Sequence, residues 1–271
     1  MISQFLINGE PSDGRIPVTD SSVLRGDGCF EVLRTYRGRT FAIDDHLDRL
    51  DRSAAALGIG LPPRDELASW IDKIASELVD GAVRVVVTRG ASVPGLDDPS
   101  LVVVFGHTWE FGDAPGRLLP VVAPWHAAGA RWELAGAKVT SYAPNMSATR
   151  RAKAEGYTDA VLVTVGGIVL EGPTFSVAWV ADGALETPGL DLGILDSITR
   201  RHVMGLARAF DIAVVEGAWN LGRLDDATEV MALSTIREVQ PVVEVGARTW
   251  EPGPVTARLA EGFEELVNRE P

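Results

Sequence analysis

Short runs of aliphatic and β-branched residues, each stopped by glycine or proline and set between stretches of helical period, dominate this chain of 271 residues. They read FLING, AVRVVVTRG, LVVVFGH, LLPVVAP, AVLVTVGGIVLEG and VAWVADGALETP. None approaches the roughly 20 apolar residues needed to cross a bilayer, and AVRVVVT is soon broken by Arg89 and Gly90, so no membrane partner is expected. Runs of this length predict strands. The amphipathic stretches around them predict helices, which makes the chain α+β in each half.

In the first half, CFEVLRTYRGRTFAI predicts a hairpin turning at Arg37-Gly38. In DDHLDRLDRSAAALGI the apolar residues Leu47, Leu50, Ala54 and Leu57 fall at helical spacing, with Asp44 placed to cap and Gly58 to terminate. A second helix is expected over RDELASWIDKIASEL. The second half adds helices at PNMSATRRAKAEG, DSITRRHVMGLARAF and GPVTARLAEGFEELVNR. The Gly/Pro/Asp-rich FGDAPGR marks the junction, so an N-terminal domain over 1–113, a linker over 114–118 and a C-terminal domain over 119–271 are expected. With 46% hydrophobic residues, a chain of this size can bury a sizeable core.

The formal charge of −13, with acidic and basic residues interleaved, argues against a nucleic-acid partner. An anionic ligand must therefore be held locally, by arginines and amide N–H groups. One cysteine, Cys29, excludes an intramolecular disulfide, and MISQFLINGE lacks a basic and then apolar leader. A cytoplasmic setting is expected, and no metal.

Only three lysines are present, so chemistry that needs a primary amine has few candidates. Lys73 sits among Asp72 and Glu77, and Lys153 lies in the charged run ATRRAKAEG; both read as solvated. Lys138 follows the small, uncharged Ala135-Gly136-Ala137, where desolvation would favour a neutral, nucleophilic amine.

The segment AKVTSYAPNMSATRRAKAEGYTDAVLVTVGGIVLEGPTFSV resembles the cofactor-lysine region of fold-type IV pyridoxal-phosphate enzymes: Lys, three residues, Tyr, then Asn, a helix, Gly, Asp-Ala and Glu-Gly. The resemblance starts earlier, at RGDGCFEVLRTYRG and HLDRL, and continues through Thr187-Pro188, ILDSITR and TEVMALSTIREVQPV, so it covers nearly the whole chain. The group includes branched-chain, D-amino acid and R-amine aminotransferases and aminodeoxychorismate lyase. It implies a smaller N-terminal α/β domain, a larger β-barrel-like C-terminal domain with flanking helices, a homodimer, and pyridoxal 5'-phosphate as cofactor.

Carried over residue by residue, the resemblance makes Lys138 the Schiff-base lysine and Glu171 the carboxylate that keeps the pyridine nitrogen protonated. It places Arg49, Ser197-Ile198-Thr199 and Thr235 on the phosphate and Tyr142 on the ring oxygen. Ser197 stands where the family usually has glycine, and Ser176 where many relatives have asparagine. Candidate substrate contacts are Arg25, Arg34, Arg89 and Ile236. The activity implied is transfer of an amino group from an amino acid or amine to a 2-oxo acid. The alternative is elimination of pyruvate from 4-amino-4-deoxychorismate, weakened by Val32, where the lyases usually carry threonine.

Overall fold

The structure is a computed structural model that describes residues 2–91, 99–108, 112, 114–126 and 132–269. The chain packs as two units, one formed by Met1–Glu110 with Gly136–Tyr142 and the other by Phe111–Ala135 with Ala143–Arg269.

The first unit is built on six strands: β1 (Ile2–Ile7), β2 (Glu10–Ser12), β3 (Gly28–Tyr36), β4 (Arg39–Thr40), β5 (Asp80–Thr88) and β6 (Val102–His107). They lie in the order β2-β1-β6-β5-β3-β4, with every pair antiparallel. The hairpin β3–β4 turns at Arg37-Gly38 as expected, and both residues have positive φ (53° and 80°), the backbone of a tight two-residue turn. After the short helix α1 (Ser21–Arg25), the main helices are α2 (Ile43–Leu57) and α3 (Arg64–Ser76). Gly58 ends α2 in the left-handed conformation, again as expected. Asp44 does not cap it. Ala42 occupies that position without a side-chain bond, and Asp44 and Asp45 instead lie in the first turn, where the helix dipole favours carboxylates.

Strand alternation decides what faces the helices. Leu33 on β3 and Val83, Val85 and Val87 on β5 are fully buried in one cluster with Leu47 and Leu50 of α2 and Ile71 and Ile74 of α3. The intervening residues Phe30, Val32 and Arg34 pair with Val86, Arg84 and Ala82 and share the opposite face.

The second unit carries an eight-stranded sheet. Its strands are β7 (Gly116–Val122), β8 (Asp159–Val163), β9 (Ser176–Ala181), β10 (Ala184–Pro188), β11 (Ala213–Gly217), β12 (Ala227–Ser234), β13 (Glu238–Val245) and β14 (Arg248–Thr249). The order is β11-β10-β9-β12-β13-β7-β8, with β14 paired to β13. Residues 168–171 bring the two ends of the sheet together: Leu170 N–H donates to Leu162 at the β8 edge, and Val169 N–H donates to Trp219 just beyond β11. This gives the barrel-like closure that leaves few open edges. Trp179, Val177, Val230 and Phe175 form one apolar cluster, while α4 (Ala143–Ala154) contributes Ala148 and Ala152 to another. The helices α5 (Ile198–Ala209) and α6 (Pro254–Arg269) pack on β12, β13 and each other. Among the described residues no helix is long and apolar enough to cross a membrane.

Gly116 and Arg117 already belong to β7, so most of the expected linker 114–118 is strand; Phe111 and Asp113 lie outside the described residues. Residues 136–142, placed in the C-terminal domain by chain order, pack with the first unit because they pair antiparallel to the start of β3.

Candidate active site

The lysine segment is added to β3 as a short partner. Phe30 N–H donates to the Lys138 carbonyl (3.0 Å), Thr140 N–H donates to Gly28 (2.8 Å), and Cys29 and Val139 form a bridge. The Thr140 hydroxyl donates to Gly26 (2.8 Å) and the Ser141 hydroxyl to the same carbonyl (2.7 Å). Lys138 N–H donates to Ser53 Oγ of α2 (3.0 Å), so its main chain is fixed on both sides. The half-buried side chain lays Nζ 4.6 Å from the Phe30 ring and 5.8 Å from that of Tyr142. Lys73 and Lys153 are exposed on α3 and α4, as the sequence reading expects.

Beneath the lysine segment lies a buried ion cluster. Arg49, 4% exposed, donates through Nε to Glu31 Oε1 (2.7 Å) and through Nη2 to Glu31 Oε2 (2.8 Å). His46 Nδ1 lies 2.8 Å from Glu31 Oε2, and since an ionised carboxylate only accepts, Nδ1 carries the proton. Burial alone would raise the Glu31 pKa, but Arg49 and His46 outweigh it and hold the carboxyl well below its ordinary range. His46 is held below 6.5, chiefly by burial and further by Arg49 and Lys138, against Glu31. Cys29, on the same core-facing parity of β3, is pushed up to about 12 by burial and then by Glu31, so its thiol is inert at neutral pH.

The arginines proposed for substrate separate clearly. Arg89 donates to both carboxylate oxygens of Asp27 and to the Leu57 carbonyl (2.5 Å), so it closes the first unit rather than offering a free guanidinium. Arg25 is exposed at the end of α1, and Arg34 stacks 4.9 Å from the Tyr36 ring. Arg84 was not singled out from sequence. It pairs with Val32 across β3–β5 and lies 5.5 Å from the Phe30 ring, so Arg84 and Lys138 approach the same ring. The available signal was its parity: in AVRVVVT it falls between buried valines, on the other face of the strand. Glu31 and His46 were also passed over, although Glu31 occupies a core parity and His46 precedes Arg49 by three residues on α2.

In the second unit, Glu171 accepts the Leu195 N–H at 3.3 Å from each oxygen. Gly172 N–H donates to Phe175 (2.7 Å), and Asn145 Nδ2 donates to Pro173 (3.1 Å), which fixes the turn after Glu171. A Cβ on Gly172 would lie 2.2 Å from the Phe175 ring, so glycine is sterically required at this position. Ser176 Oγ, on a residue 2% exposed, has no partner among the described residues. Ser197 caps α5 by accepting Arg200 N–H (3.2 Å), and Ser197, Ile198 and Thr199 are all buried. A buried helix start with unsatisfied N–H groups suits an anion. Thr235 and Ile236 sit in the β12–β13 turn, braced by Arg237, which pairs with Asp159 (2.6 Å) and lies 4.4 Å from the Phe175 ring.

A lysine set among aromatic rings in one unit, and a carboxylate with a buried helix start in a barrel-like second unit, define a fold-type IV enzyme. The chain belongs to the class IV aminotransferase family, whose signature matches residues 28–245. It is similar to a Methanocaldococcus jannaschii protein whose name provisionally assigns it branched-chain-amino-acid aminotransferase activity (31% identity, covering 97% of this chain and 96% of that one). It is also similar to a D-alanine aminotransferase of Listeria monocytogenes (30%, covering 98% and 96%). In structure it resembles the branched-chain amino acid aminotransferase of Escherichia coli, with TM-score 0.89 and 26% identity over 98% of this chain and 95% of that one. It is therefore a class IV transaminase, a family of pyridoxal-phosphate enzymes.

Proposed function

We propose that this transaminase uses pyridoxal 5'-phosphate held on Lys138 to move an amino group from an amino acid to a 2-oxo acid. The observation that carries the reading is the setting of Lys138: the one half-buried lysine of three, fixed through its main chain and aimed along the rings of Phe30 and Tyr142. The residues present fit the cofactor. In the first unit Arg49 suits a phosphate and Tyr142 a ring oxygen; in the second, the buried start of α5 at Ser197-Ile198-Thr199 and the Thr235-Ile236 turn suit a phosphate, Glu171 a pyridine nitrogen and the unpartnered Ser176 hydroxyl a ring.

When bound, the cofactor supplies an electron sink that lets a Cα proton be removed. Lys138 would hold the cofactor through its side-chain amine and, once the incoming amino group has displaced that amine, would accept the substrate Cα proton and give it back later in the reaction. Glu171 would hold a protonated ring nitrogen through its carboxylate. Arg84 is the best placed of the arginines to hold a substrate carboxylate, with Arg34 and Arg25 behind it and Arg89 serving structure. Val32, paired with Arg84, offers no hydroxyl for the lyase alternative. A cytoplasmic homodimer acting on small molecules completes the reading.

Purified protein is to be assayed with L- and D-amino acids against a panel of 2-oxo acids, and with aminodeoxychorismate alone. Amino transfer with negligible 4-aminobenzoate supports the reading. Efficient release of pyruvate and 4-aminobenzoate without a 2-oxo acid replaces it with the lyase.

A further inference from the structure

Glu31 has none of the roles assigned above, yet it is a 1% exposed carboxylate on the core-facing side of β3, between Cys29 and Leu33. Packing does not require a charge at that place; an apolar side chain would fill it. What the carboxylate does is grip. Its oxygens accept from Arg49 Nε and Nη2, from His46 Nδ1 and, at 3.3 Å, from Val32 N–H. A two-point pair of this kind fixes the plane of a guanidinium, which a single contact or a lysine could not do.

We propose that Glu31 is a positioning residue for the cofactor's phosphate, holding Arg49 in one orientation, with His46 in turn holding Glu31. The inference rests on the phosphate role read above for Arg49. The device extends along one face of α2, where His46, Arg49 and Ser53 are spaced by three and seven residues. Ser53 Oγ donates to the Arg49 carbonyl (2.9 Å) and accepts Lys138 N–H. The phosphate arginine and the cofactor lysine are thus set by the same helix face, and an arginine that shifted would disturb both.

The test is to titrate the full-length chain with pyridoxal phosphate and with pyridoxal, which lacks the phosphate, following tryptophan fluorescence. In wild type, E31Q, E31D, H46Q, R49K, R49A and E31Q/R49K, urea unfolding serves as the check on folding. A charge-assisted pair predicts that E31Q weakens pyridoxal phosphate roughly 10-fold or more while changing pyridoxal less than about 2-fold. E31D should recover part of the loss, H46Q should give a smaller loss with the same selectivity, and E31Q should add little in the R49K background. Equal weakening of both ligands by E31Q, alongside a selective loss in R49A, would overturn the positioning role and leave the phosphate role of Arg49 standing. Unchanged pyridoxal phosphate binding in R49A would overturn both. Should E31Q fail to fold, H46Q decides: a selective loss supports the inference, and an equal loss or none overturns it.

Discussion

The lysine-bearing unit and the barrel-like unit carry the groups proposed for ligand binding by opposite means. In the first, charge is concentrated and compensated inside: Glu31, His46 and Arg49 form a buried cluster, with Lys138 close enough to depress His46. In the second, the anion-ready groups are neutral. Those proposed for a phosphate are the start of α5 capped by Ser197 and the Thr235 turn, and the carboxylate proposed for the ring nitrogen, Glu171, meets a main-chain amide. Main-chain donors at a helix start come with the fold and need no counter-charge, whereas a buried guanidinium needs one. Substitutions in the Glu31–His46–Arg49 cluster therefore upset a balance of charges, while those at the start of α5 remove single contacts.

The largest expected effect lies at Lys138. Replacing it with alanine should reduce amino transfer by several orders of magnitude, since no other lysine shares its setting, and borohydride trapping followed by peptide mapping should mark position 138. Label on Lys73 or Lys153 would move the chemistry elsewhere.

Next is Glu171→Gln, which keeps the shape of the turn braced by Asn145 but loses the charge. Turnover should fall on the order of 10²-fold while the cofactor stays bound, because a fixed electrostatic partner has gone. Unchanged single-turnover rates would remove Glu171 from the reaction and weaken the contrast between the units.

The arginines give a sharper comparison inside the first unit. Arg84→Ala should raise the 2-oxo acid KM roughly 10- to 100-fold, as expected for loss of a charge-assisted bond of about 1.5–3 kcal/mol. Arg89→Ala should leave KM alone and cost about 1 kcal/mol or less in urea unfolding, because its pair with Asp27 is about one-third exposed. The reverse pattern would exchange their roles.

The buried cluster also has a pH signature. Because the folded chain holds His46 below 6.5, the unfolded chain takes up a proton there that the folded chain refuses. Stability is therefore full above about pH 6.5 and falls as pH drops toward the folded value, by at most ~1.4 kcal/mol per pH unit. Glu31 adds little to this window, since its lowered pKa contributes stability that is present above the ordinary value of 4.5 and is lost as pH falls below it. Urea midpoints between pH 5 and 7.5 should show a shallower slope in His46→Gln, and an identical slope would place the titration elsewhere. The smallest effect is at Cys29: with its thiol pushed up to about 12 and fully buried, a disulfide reagent at pH 8 should react only as fast as the protein unfolds.

Much of this molecule was legible from residue order. Glycine-punctuated strand runs, the Arg37-Gly38 turn, the end of α2 at Gly58 and the isolation of Lys138 among small residues are local properties, set by steric freedom, periodicity and neighbouring side chains. The resemblance to fold-type IV enzymes added the roles proposed for Lys138, Glu171 and Arg49. What sequence could not decide were pairings across many residues. Asp44 had the right chemistry for a cap but fell inside the first turn, because the chain enters α2 through Ala42 in a left-handed conformation. Residues 136–142 read as part of the C-terminal half, yet their hydrogen bonds run to β3. Arg89 lies just past the end of β5 and Arg84 within it, but nothing in the residue order names their partners. Only the fold commits the first to Asp27, 62 residues away, and leaves the second against Phe30. Glu31 and Arg49, 18 residues apart, become one buried unit for the same reason: a charge can be taken out of water only where the tertiary structure brings its partner to it.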